Sequence, residues 1–346
     1  MKRDFSINIL IGFAATVICL GLTTGSALAA QNDLDGARQD NPSQSYCSHT
    51  AELVHGACQA EVLDVLGIAA ASCINISDRQ ERDDCLEAAD EEREEAMAFC
   101  RQQRRARLNV CNLVGQDRYD PQIDPANFVD PLTIGQGVQA NPYFPLVPGT
   151  EWVYEATSLD DEGEEVTETI TVTVTQDTKL IEGVTCIVVN DVVMEDGQVI
   201  EDTDDWYAQD VAGNVWYFGE VARNFESFEG DDPEEPELVD LEGSWKAGRD
   251  NAKPGILIPF SPQEGDVIRQ EMALGQAEDL VEIVSLTGTE TAPAADCDGD
   301  CLVTKDFSPL EPGISEQEYY APGVGLILEL DADGERGPEL VSFTQP

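Results

Sequence analysis

The rhythm of apolar positions changes along this chain. Residues 9–22 form an apolar run broken only by Gly, Ala and Thr. Residues 45–114 place cysteines and small apolar side chains at helical spacing. From about residue 141 the grammar is that of strands: "EWVYEAT" alternates apolar and polar, and "EVTETITVTVTQ" is a long β-branched run. Alternation at period two marks a strand with one face buried, and recurrence near 3.6 marks a helix.

The helical segment carries six cysteines, Cys47, Cys58, Cys73, Cys85, Cys100 and Cys111, whose gaps are 11, 15, 12, 15 and 11. The order is palindromic, so each pair taken from outside in has residue numbers summing to 158. Residues at equal height in an antiparallel helical hairpin obey such a constant sum. At about 100° per residue, a gap of 11 drifts by roughly 20° and a gap of 15 by roughly 60°. All three cysteines of an arm therefore share one face. Val62, Val65, Leu66 and Ala69 continue it in the first arm, and Ala89 and Ala96 in the second. "SDRQ", 77–80, is a capping box that starts the second helix. The ladder predicts disulfides Cys47–Cys111, Cys58–Cys100 and Cys73–Cys85. A thiolate metal store would want cysteine pairs at i,i+4, and these are missing.

Residues 115–140 are rich in Pro, Asp and Asn, lack either period, and read as a linker. In the strand-rich part, 141–346, "VTCIVVNDVVMEDGQVIED" is a hairpin turning at Asp196-Gly197, and "DWYAQDVAGNVWYFGE" is a second turning at Gly213-Asn214. "DVIRQEMA", "LVEIVSL", "CLVTKDF", "SEQEYYA", "VGLILEL" and "ELVSF" follow at intervals that suggest an antiparallel meander. The acidic run 226–243 reads as an exposed loop. The expected class is α+β, mostly β: a disulfide-laddered antiparallel helical hairpin, then an antiparallel curved sheet or open barrel.

Composition adds a compartment. Lys2 and Arg3 precede the first apolar run, and Ala27-Leu28-Ala29 fits a small-x-small cleavage site, so residues 1–29 read as a signal peptide. Ile18 before Cys19 disfavours a lipid anchor there. The expected mature chain is soluble, without a transmembrane anchor, and periplasmic or extracellular. In such an oxidising setting paired thiols are disulfides. The chain carries 19 basic and 69 acidic side chains; cleavage removes Lys2, Arg3 and Asp4 and leaves 17 against 68. That surface repels phosphate backbones and anionic lipid, which excludes nucleic acid as a partner. It attracts cations, and calcium is the one cofactor it suggests.

Chemistry is constrained by absence. The two histidines, His49 and His55, both lie in the hairpin, so a Ser-His-Asp triad or a His-based zinc site within the strand-rich part is excluded. Carboxylate pairs remain available, with Asp204, Asp205 and Asp210 flanking the aromatic hairpin. The aromatic residues Trp206, Tyr207, Trp216, Tyr217 and Phe218, on adjoining strands, are the candidate ligand-binding set. Trp245 joins them, beside Lys246, Arg249 and Lys253, a basic cluster that could clamp an anion or neutralise the acidic run.

"NPYFPLVPGTEWVYE", "DWYAQDVAGNVWYFGE", "GSWKAG", "PLEPG" and "YYAPGVGLILEL" together resemble a family of exported bacterial β-rich proteins with no assigned activity, over roughly residues 141–330. The opening "PLVPGTEWVY" and closing "YYAPGVGL" are also similar to those of periplasmic curved-sheet proteins such as the lipoprotein-carrier half-barrels. That resemblance implies an apolar ligand on a concave face. The expected function is a non-enzymatic exported binding or structural protein, holding an apolar or glycan ligand against its sheet. A carboxylate-dependent hydrolase and a calcium-dependent surface interaction protein are the competing classes.

One short stretch, "DCDGDC" at 296–301, looks like a site. An EF-hand starting at Asp296 fails, because Cys301 stands where Gly is needed and Phe307 where Glu is needed. The C-x-x-x-C spacing is not that of a redox pair. A tight acidic turn before "LVTKDF" remains, stapled by a Cys297–Cys301 bridge that leaves Cys186 as the odd thiol. Were Cys186 to pair with either, the free thiol would move to this turn.

Overall fold

The structure, a computed structural model, describes residues 45–159, 165–228 and 230–346. The expected signal peptide lies outside them. The chain divides into two units, at Tyr119 and Asp120.

The first unit is a helical hairpin, α1 (Tyr46–Ile74) and α2 (Arg79–Val114). Disulfides Cys47–Cys111, Cys58–Cys100 and Cys73–Cys85 bridge it, with Cα atoms 5.6, 5.8 and 5.7 Å apart. The residue capping α2 is Asp78, not Ser77. Its carboxylate accepts from the backbone N–H of Gln80 at 2.8 Å and of Glu81 at 3.0 Å, and a charged acceptor at that end also opposes the helix dipole. Val65 does not join the buried seam. It is 58% exposed, because the level facing it, by the same constant sum, holds Arg93 and no apolar partner. Val62, opposite Ala96, is half-buried.

The second unit is a single antiparallel sheet built from two meanders. The first comprises β1 (Glu151–Leu159), β2 (Glu165–Ile181), β3 (Val184–Glu195), β4 (Gln198–Gln209) and β5 (Val215–Glu226). Asp196 and Gly197 turn β3 into β4 with φ of 49° and 82°, the left-handed pair a tight hairpin of this twist requires. After β6 (Glu237–Asp240), β7 (Trp245–Lys246), β8 (Lys253–Ile258), β9 (Val267–Arg269) and β10 (Glu271–Met272), the second meander follows. It comprises β11 (Leu280–Thr291), β12 (Asp296–Phe307), β13 (Glu316–Ala321), β14 (Gly325–Leu330) and β15 (Arg336–Thr344).

β1 pairs with β15, which joins the meanders through their first and last strands. The far side of the first meander continues through β8 to β10, and that of the second ends on β9. Only Gln270 separates β9 from β10. The two ends of the strand order thus meet in consecutive residues, and the sheet nearly closes into a barrel. Closure hides the unpaired edges that an open sheet would present.

Three local readings change. The segment expected to be a linker folds onto the sheet from Asp120 onward. It makes two short 3₁₀ turns, Pro125–Asn127 and Pro131–Thr133, capped by Asp124 and Asp130. Phe128 packs edge-on to Trp216 and Phe218, and Ile134 is fully buried. A sparse apolar residue every few positions suffices to pin an irregular segment, and leaves no period to read. The acidic run is not wholly loop, since β6 pairs with β5. "DCDGDC" is not a turn before a strand but the first half of β12. The turn lies at Ala292–Ala295, where the Ala292 N–H donates to the Ala295 carbonyl at 2.8 Å. The Cys297–Cys301 disulfide spans 5.4 Å between Cα atoms and ties off a stretch where the register with β11 shifts, a β-bulge. Cys186 is the free, buried cysteine among the described residues.

Candidate functional site: an acidic barrel interior

Alternation along β4 and β5 divides the aromatic hairpin between two faces. Tyr207 and Tyr217 point into the barrel, with rings stacked at 4.7 Å, and Phe144 meets Tyr207 edge-on at 5.2 Å. Trp216 and Phe218 point outward beneath Phe128. Trp206 faces away from the cavity too, its ring covered by the Lys179 ammonium at 3.4 Å from the centroid. Trp245 is buried and stands edge-on to Tyr217 at 5.4 Å, behind the stack. Of the six candidate ligand-binding residues, the structure brings Tyr207 and Tyr217 to one cavity, backed by Trp245, and places Trp206, Trp216 and Phe218 elsewhere.

The three suspect aspartates also separate. Asp210 closes the β4–β5 turn, accepting from the N–H groups of Ala212 and Asn214 and from Trp216 Nε1. Asp204 faces out to Arg223 at 2.6 Å. Asp205 faces in and accepts a 2.6 Å bond from the Tyr217 hydroxyl. The basic cluster beside Trp245 is engaged locally, Lys253 with Asp120 at 2.6 Å and Arg249 with Asp250 at 3.2 Å.

The cavity these inward residues enclose has a volume of about 130 Å³. Its wall combines Tyr154, Tyr207, Tyr217 and Tyr320 with Phe144 and a few aliphatic side chains. It also carries seven carboxyl groups, from Asp191, Asp205, Glu220, Glu271, Asp279, Asp306 and Glu318, and no Lys, Arg or His. Phe144, Val172, Glu220, Leu257 and Tyr320 are the half-buried members of this wall.

Acids this close, deep and unpaired with cations cannot all ionise. Burial raises every one of them. Asp205 and Asp279 are pushed up to about 7, and burial also holds Glu220, Glu271 and Asp306 well above the usual carboxylate range, with neighbouring acids adding to the rise. Several of the acids stand carboxyl against carboxyl, Glu271 with Asp279 and Asp306 with Glu318, an arrangement that is favourable only when one member of each pair keeps its proton. Glu220 stands against Asp205 in the same way. Neutral donors help hold them: Thr304 Oγ1 and Gln270 Nε2 donate to Asp306 at 2.6 and 3.1 Å, and the Tyr320 hydroxyl donates to Glu318 at 2.5 Å. Asp191 differs. It is 7% exposed, and its Oδ1 is buried without a hydrogen-bond partner. No group of three or more His, Cys, Asp or Glu among the described residues is arranged to hold a metal ion; the acids face one another in twos.

Of these acids, sequence reasoning singled out Asp205 alone. Three of the others carried a signal, an acid in phase with the inward-facing positions of its own strand. Asp191 lies between Val189 and Val193, Asp306 two residues after Thr304, and Glu318 two before Tyr320.

The second unit is thus a nearly closed antiparallel barrel with an interior of tyrosines and proton-sharing acids. No family model matches the chain, and no curated protein matches it. Among solved structures, the chain is similar to a protein from Parabacteroides distasonis ATCC 8503 described as a "putative lipoprotein". Identity is 14%, the match covers 60% of this chain and 100% of the other, and the TM-score is 0.31. That overlap carries no argument about activity.

Proposed function

We propose that this is an exported binding protein whose barrel takes a small ligand into its interior without transforming it. The observation that carries the reading is the cavity itself. It is lined by stacked tyrosines on one side and by carboxyl groups on the others, and Asp191 presents a buried oxygen that nothing in the protein satisfies. Leaving such a group unpaired costs roughly 1–3 kcal/mol, a cost a ligand donor would remove. The disulfide ladder supports export, since such bonds persist in oxidising compartments. The acids in hydrogen-bond contact do not favour a hydrolase. Glycosidase chemistry separates acid and base by about 5–9.5 Å, whereas these pairs are arranged to hold a proton between them. The wall is too polar for a wholly apolar chain, so a polar ligand with a small carbon surface fits best.

The test is native mass spectrometry of the protein recovered from its own compartment, alongside a variant with the cavity filled, Val172→Phe. A co-purifying small molecule present on the wild type and missing from the variant is the expected result. Wild type free of any ligand, and unshifted in melting temperature by a broad set of metabolite-sized probes, would refute the reading.

A further inference from the structure

Resting on that binding reading, we propose that the ligand is a small organic cation, an amine. Its ammonium group would sit against Asp191, with its carbon portion against the faces of Tyr207 and Tyr217.

Three observations converge. Charge comes first: the wall presents seven carboxyl groups and not one cationic side chain. An anionic ligand would be repelled by whichever of these acids ionise, whereas a cation would favour their ionised form. Second is the unpartnered Asp191 Oδ1, which is nine-tenths buried and belongs to the cavity wall. The other wall acids have a neighbour with which to share a proton or a hydroxyl that donates to them. Glu271 Oε2 and Asp279 Oδ1 in the same wall are also buried without a partner, but those two acids stand against each other, whereas neither a donor nor a second carboxyl bonds Asp191. Third, the stacked Tyr207–Tyr217 pair with Phe144 edge-on supplies aromatic faces beside those acids. Such rings give the carbon portion of a ligand an apolar surface to pack on. An amine would use all three features: its ammonium the acidic acceptors and the unfilled hydrogen-bond site, and its carbon portion the aromatic rings. A metal ion is the weaker fit, since it wants three or more carboxylates converging on one point and these acids converge in twos.

The experiment measures binding to the full chain at pH 8 by calorimetry, with the melting temperature followed by tryptophan emission. The probes are n-butylammonium, its neutral counterpart 1-butanol, glucose as a polyol, and calcium chloride. Butylammonium should bind and raise the melting temperature, and 1-butanol and glucose should not. Asp191→Asn, nearly the same shape but unable to ionise against an ammonium, should weaken butylammonium at least tenfold. Gln270→Lys provides an independent check should Asp191→Asn fold poorly. It sets a tethered ammonium beside Asp306, so it should raise the melting temperature at pH 8 and suppress butylammonium binding. Equal binding of 1-butanol or glucose, or an Asp191→Asn variant that holds butylammonium as tightly as wild type, would overturn the cation inference while leaving the binding reading intact. So would calcium reproducing the stabilisation in an Asp191-dependent way. If no probe binds and Gln270→Lys changes nothing, both readings fall.

Discussion

Glu201 offers a clean measure of what the buried acids cost the fold. It lies on β4, 7% exposed, and accepts a 2.6 Å bond from Thr203 Oγ1. Burial pushes its carboxyl from 4.5 to about 7, assisted by the charges of Asp205 and Asp202 and opposed by the Thr203 bond. A carboxyl held higher in the folded state keeps its proton after the unfolded chain has lost one. Stability is therefore full below the unfolded value, declines as pH rises, and levels off above the folded value. Between pH 5 and pH 8 the fall spans about two units, or about 3 kcal/mol at 1.36 kcal/mol per unit. Glu201→Gln keeps an acceptor for Thr203 and removes the titration. Its stability relative to wild type should therefore improve by about 3 kcal/mol on going from pH 5 to pH 8. At a urea slope of about 3 kcal/mol per molar, that is a relative midpoint shift of about 1 M. The assay is urea unfolding at both pH values with the disulfides intact, followed by tryptophan emission. Trp152, Trp206, Trp216 and Trp245 all lie in the barrel, so the signal reports that unit alone. The acid point stays above the sequence pI of about 4.1, where the protein keeps a net charge. Parallel stability curves for the two proteins, or a difference that grows in favour of wild type, would refute the reasoning.

Two further outcomes follow from the geometry. Reduction should strip much of the helical far-UV signal while leaving tryptophan emission near its native value. The hairpin buries few side chains of its own, and removing a disulfide from a small unit costs about 2–5 kcal/mol; full helicity in excess reductant would contradict this. Asn141→Ala should lower barrel stability by about 3 kcal/mol in denaturant titrations. Asn141 is fully buried, its amide donates to the Gly213 carbonyl at 2.9 Å, and its Oδ1 accepts from the Tyr143 N–H at 2.9 Å. A loss under 1 kcal/mol would show that water replaces those bonds.

The fold was largely legible in the sequence where local chemistry repeats. The constant sum of the cysteine positions specifies an antiparallel hairpin, because only that arrangement puts every pair at equal height. Asp196-Gly197 specifies a tight hairpin, because both residues tolerate positive φ. What escaped reading is set by long-range pairing. Nothing within "DVIRQEMA" says that its first half pairs with β11 and its second half with β8, yet that split at Gln270 is what brings the barrel's two ends together. Phe128 in the segment read as a linker looked unremarkable until Trp216 and Phe218 arrived beside it.

The interior site divides the same way. Sequence alone determined that the barrel would carry an excess of acid, no histidine, and an aromatic hairpin whose residues alternate between two faces. It could not say which face is the interior, because a period-two pattern fixes relative orientation but not which side is enclosed. Only the tertiary structure decided that Tyr207 and Tyr217 face Asp191, Glu271 and Asp306, residues drawn from strands far apart in the chain. Acids that would each be ordinary on a surface become mutually raised, proton-sharing groups once closure removes water from between them.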